Sequence, residues 1–315
     1  AVPMLAVVVA LLASADAVFA SLLTPDIDAV PLSGHLLLTL LLGAAVLCVA
    51  TATTAPAAER HHPGSFGVTE VVTMLALAAG VLGLFVVSQL LALTDAGRRL
   101  VESSGLTPAE YARSGFFQLC WATGLLLAFL GVVRSLATAE ACEHRVVRSL
   151  GAIVPLLAVG LVVVSLRRMA LYDDAFGLTM LRLWVIGAAI WMALLLVMTA
   201  ARSLGLGADR HWLAAGAGLT AMALVLIANL TNPEAFVVRH NISRAVDGAD
   251  LDVDYLRQLS DDAVPAVAAA IDSEDDGAVR ERLVPALRCS TDRTGVAALN
   301  VAVARASDAR DQRCR

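Results

Sequence analysis

The sequence predicts an all-α protein: a polytopic transmembrane helix bundle of about seven spans, followed by a small helical C-terminal domain. Three observations carry that prediction. Hydrophobic residues make up 58% of the chain against 16% charged, and mean hydropathy is +0.76, far from the balance of a soluble globular domain. Seven apolar runs, at 1–23, 36–54, 68–93, 116–137, 147–166, 180–201 and 211–230, are each long enough to cross the membrane. At about 1.5 Å per residue they reach across roughly 30 Å of hydrocarbon. Beyond residue 230 these runs give way to short amphipathic segments that open on Asp, Ser or Asn. The transmembrane domain is therefore placed at 1–230 and the soluble helical domain at 231–315.

Taken in order, the first run begins at Ala1 with no initiator Met and no basic n-region. That start argues against a signal peptide, despite the small residues of AVFA, and suggests a fragment of a longer protein. Asp16 lies well inside this run. The connection over 94–115 ends in Thr107, Pro108 and Glu110, a capping box that starts the fourth span as a helix near Pro108. Between the fifth and sixth spans stands LYDDAFGLTMLR, Leu171 to Arg182, whose polar residues lipid does not tolerate. This stretch is expected to cap its neighbours at the water interface. After the last span, Asn232, Pro233 and Glu234 start another helix, and the tail reads as helices near 250–259, 262–272, 277–288 and 294–310. No segment shows strand periodicity.

Alternation places the 24–35 and 94–115 loops, the 171–182 stretch and the tail on one membrane face, and the 55–67, 138–146 and 202–210 loops on the other. Arginine counts on the two faces nearly balance, so the positive-inside rule does not choose between them. The first loop, with two Asp and no Arg, favours an outer position for its face. The expected location is the cell (inner, cytoplasmic) membrane, with the C-terminal domain extracytoplasmic.

Composition also excludes chemistry. Every one of the 23 basic residues is arginine, which rules out a Schiff-base lysine and the lysine of a phosphate-binding loop. The net charge of −5, concentrated in the tail, argues against a nucleic-acid partner. No GxSxG, Walker or dinucleotide-binding motif is present. His61 and His62 lack the spacing to share a metal, and Asp275 and Asp276 lack the rest of a calcium loop. Neither cofactor nor metal is therefore expected. Of the five cysteines, Cys48, Cys120 and Cys142 lie in or between apolar runs. Cys289 and Cys314 lie in the tail, where they either form a disulfide or remain unpaired small hydrophobes.

A candidate polar pocket gathers Asp16, Gln89, Tyr111, Arg113, Arg168, Tyr172 and Arg182 at the face of the 171–182 stretch. Asp16 is costly in lipid unless it finds a partner, and Arg113, Arg168 and Arg182 are all open as that partner. Three roles stay open for it: an interhelical hydrogen bond or buried ion pair that fixes packing, a substrate or ion site, or contact with water. Gln89 reads either as interhelical glue or as part of the pocket. The arginines flanking the stretch snorkel to the interface or bind a phosphate or carboxylate. Tyr111 and Tyr172 read equally as interfacial anchors, and helix geometry points Arg113 away from Tyr111. Arg168 and Tyr172, four residues apart, can act together if their turn is helical.

Several stretches, LLASADAVFA, GLTPAEYARSGFFQL, RMALYDDAFGLTMLRL, and NPEAFVVRHNISRA followed by LDVDYLRQLSDDAVPAV, resemble a bacterial, especially actinobacterial, family of multi-pass membrane proteins. That family is catalogued only as a domain of unknown function. The resemblance runs through almost the whole chain and implies further N-terminal spans, but it implies no reaction, substrate or cofactor.

The leading expectation is a non-enzymatic envelope scaffold or sensory partner whose tail binds another protein, with membrane lipids as its other partners. The alternative is a membrane enzyme or lipid-handling protein acting on a lipid-linked or anionic substrate through the polar pocket. A transporter ranks third, because only one deep carboxylate and no inverted repeat are visible.

Overall fold

Long runs of Leu, Val and Ala without strand alternation satisfy their backbone groups in lipid only as helices. A computed structural model describes residues 2–23, 66–92, 108–206, 212–273, 277–287 and 301–311. Those residues form α1 (Val2–Ala15), α2 (Ala17–Leu23), α3 (Val68–Ala92), α4 (Pro108–Leu136), α5 (Ala139–Glu143), α6 (Arg145–Phe176) and α7 (Met180–Ser203). They continue with α8 (Trp212–Thr231), α9 (Pro233–Val246), α10 (Val253–Gln258), α11 (Val264–Ser273), α12 (Gly277–Leu283), a 3₁₀ turn at Val284–Ala286 and α13 (Val301–Asp311). No strand occurs among the described residues. The protein is an all-α membrane helix bundle.

Five helices, α3, α4, α6, α7 and α8, are long and apolar enough to cross a membrane. They match the third to seventh predicted spans. The first predicted span is two helices, α1 and α2, interrupted at Asp16. The second, 36–54, lies outside the described residues. So do the 24–35 loop, Cys48, His61, His62, Thr107, Asp275, Asp276, Cys289 and Cys314, together with the side chains of Tyr111 and Arg113.

The exposure of α8 bears directly on the class of the protein. No residue of this helix is buried, and Leu219, Met222 and Leu230 are 62%, 65% and 76% exposed. Apolar on every side and unburied, α8 is suited to lipid and not to water.

The 171–182 stretch interrupts the chain less than its composition predicts. Tyr172, Asp173 and Asp174 belong to the last turns of α6, which runs for 32 residues, and α7 resumes at Met180. The break shrinks to Gly177–Thr179. Gly177, at φ +75°, takes the left-handed position that ends a helix, and its N–H donates to Asp173 O at 2.7 Å.

The chain forms two compact units. The first comprises 1–169 and 188–218; the second comprises 170–187 and 219–315. In the first, α1 packs on α4 and α2 on α3, around a core that includes Leu12, Phe19, Phe85, Leu126 and Leu161. The Phe19 and Phe85 rings meet at 5.7 Å between centroids. In the second, α11 packs on α9 and α13 around Val238, Ile242, Val267, Ile271 and Leu283. Asn232 caps α9 as its sequence predicts, accepting from Ala235 N at 3.0 Å with Pro233 in the first turn.

Candidate functional site

The interruption of the first span leaves main-chain groups that a membrane cannot solvate. Ending α1 frees the carbonyl of Ala15, and starting α2 frees the N–H of Phe19. Asp16 sits in the gap as the cap of α2, its Oδ1 accepting from Phe19 N at 2.8 Å. Arg168, on α6, donates through Nη1 to Ala15 O and through Nη2 to Asp16 Oδ2, the latter at 2.6 Å. Each charge therefore faces the helix end whose dipole favours it: the carboxylate at an N-terminus, the guanidinium at a C-terminus. Both residues are buried, at 1% and 4% exposure. Gln89 of α3 completes the group, donating from Nε2 to Asp16 Oδ2 at 3.0 Å.

Gly115 makes room for this arrangement. A Cβ there would stand 1.8 Å from Arg168 Nη1 and 2.9 Å from Ala15 O. Only glycine lets α4 pass beside the guanidinium. Sequence reasoning passes over Gly115, although it lies in the AEYARSGFF stretch.

The second unit holds Tyr172 and Arg182. Arg182 lies 4.3 Å from the centroid of the Tyr172 ring, which also meets Phe176 at 4.8 Å. Arg182 Nη1 donates to Gly177 O, so the side chain braces the turn between α6 and α7. Around that turn stand residues the sequence does not single out. Asn241 accepts from Leu178 N and donates to Leu178 O, both at 2.8 Å. His240 Nε2 meets Asp173 Oδ2 at 2.8 Å, Arg244 donates to Asp174 O, and Tyr255 Oη accepts from Met180 N at 2.7 Å. Burial pushes the Tyr255 phenol up, against the lowering effect of the Met180 N–H. The sequence signal for these residues is that they lie in the NPEAFVVRHNISRA and LDVDYLRQLSDDAVPAV stretches.

The structure thus brings together Asp16, Gln89 and Arg168 in one unit, and Tyr172 and Arg182 in the other. Among the described residues, no three His, Cys, Asp or Glu side chains converge to hold a metal.

A family model described as a domain of unknown function, DUF4153, matches residues 1–270. The chain belongs to the DUF4153 family. The DUF4153 match takes in both polar groups and ends inside α11, leaving α12 and α13 beyond it. No curated protein and no solved structure matches the chain.

Proposed function

We propose that this DUF4153 protein is a non-enzymatic scaffold or sensory partner in a bacterial cell envelope. The supporting observation is the pairing of Asp16 with Arg168. The deepest charges of the first unit are bonded to each other and to the helix ends beside them, an arrangement that fixes helices. A substrate-binding pocket would instead hold such groups open. In this reading the 1–230 domain sits in the cytoplasmic membrane among lipids, and the 231–315 domain binds a protein partner outside the cytoplasm. The orientation draws support from the 24–35 loop, whose sequence carries two Asp and no Arg.

The test compares cellular phenotype with protein abundance. Scaffold function predicts that Asp16→Asn and Arg168→Gln lose phenotype only in proportion to lost protein, while deletion of 247–315 abolishes phenotype with the membrane domain still present. A normal amount of Asp16→Asn protein with no phenotype would favour a reactive or binding pocket instead.

A further inference from the structure

A second polar feature of the first unit lies away from Asp16, where four spans end. A cavity of about 50 Å³ is lined by residues of α3, α4, α6 and α7, with Cys142 of α5. Leu75 and Leu130 line its apolar wall, whereas Arg134, Arg148, Thr199 and Ser203 supply polar groups. Arg134 lies in the last turn of α4, Arg148 in the first turn of α6, and Ser203 closes α7. Because these are span ends, the cavity belongs at the depth where hydrocarbon gives way to headgroups.

Arg148 is held in position. Its Nε donates to Ser203 O at 3.3 Å and its Nη2 to Leu204 O at 2.6 Å, which caps α7. Gly205, at φ +86°, leaves space for it, since a Cβ there would lie 2.7 Å from Nη2. A guanidinium has five N–H donors, and Arg148 Nη1 donates to no described residue. Arg134 makes no ion pair among the described residues, and Glu140 and Glu143 of α5 neutralise neither arginine there. A water needs about 10–15 Å³ of such space. The cavity is therefore large enough to admit the oxygens of a small polar group.

We propose that Arg134 and Arg148 bind a phosphate group at this cavity, from an anionic phospholipid headgroup or from free phosphate. Planar guanidinium groups suit phosphate oxygens through paired N–H donors, and the apolar wall suits the acyl side of a lipid.

The experiment uses the full chain in nanodiscs and in detergent. Retained phosphatidylglycerol and phosphatidylcholine are measured by native mass spectrometry, and thermal stability is measured with inorganic phosphate against chloride at matched ionic strength. A lipid site predicts preferential retention of phosphatidylglycerol, lowered roughly fivefold by Arg134→Gln and again by Arg148→Gln. Arg134→Gln carries the test if Arg148→Gln fails to fold through loss of its cap. Stabilisation by inorganic phosphate in the wild type but not in Arg134→Gln, without lipid preference, assigns the site to free phosphate. Equal retention of the two lipids together with equal effects of phosphate and chloride overturns the proposal, as does an Arg134→Gln variant that behaves like wild type in both measurements.

Discussion

Gly115 and Arg168 are fitted to one another: the guanidinium occupies the space that any side chain at position 115 would need, with Nη1 only 1.8 Å from where a Cβ would stand. Arg168 reaches Ala15 and Asp16 through that space, so the junction of α1, α2, α4 and α6 depends on a missing side chain as much as on the two charges.

Replacing Gly115 with alanine should therefore destabilise the first unit despite the better helix propensity of alanine. The expected cost is about 1–3 kcal/mol from overpacking, read as a lower melting temperature in detergent. Gly80→Ala is the control, because a Cβ there meets nothing within 4 Å.

Asn241 provides both hydrogen bonds to the main chain of Leu178. Asn241→Ala leaves a buried N–H and C=O without those partners, and a loss of about 2–4 kcal/mol is expected. Hydrogen exchange at residues 177–180 should rise in this variant, while exchange in α1 and α2 should stay unchanged.

Tyr255 gives the second unit an alkaline limit. Its folded pKa is raised by burial, so its contribution is complete below the unfolded value and is lost as pH rises through the folded one. Melting temperature should fall more steeply above about pH 10 in the wild type than in Tyr255→Phe. That variant should start lower at neutral pH, because Met180 N loses its acceptor.

Much of the helical architecture is legible in the sequence because apolar length is a local property. The pairing of Asp16 is legible too, in part: a carboxylate inside an apolar run demands a cation, and Arg168 is one of three that alternation leaves open. What distinguishes Arg168 is the helix break at Asp16, whose freed Ala15 carbonyl also needs a donor, and that break is not visible in an unbroken run of small and apolar residues. Gly115 is hidden for a related reason: its requirement arises only where α4 passes α6. The 171–182 stretch shows the opposite failure. Its polar residues suggest an interruption, yet His240, Arg244 and Asn241, far along the chain, supply partners that let most of it remain helical.

The central claim is that the buried charges hold helices together. A double-mutant cycle on Asp16 and Arg168, measured as unfolding free energy in detergent, tests it most directly. Asp16→Leu and Arg168→Met should each cost about 3–5 kcal/mol, because each strands a buried charge, whereas the double variant should recover most of that loss and retain the cellular phenotype. Additive losses, or a stable double variant that has lost its phenotype, would contradict the claim.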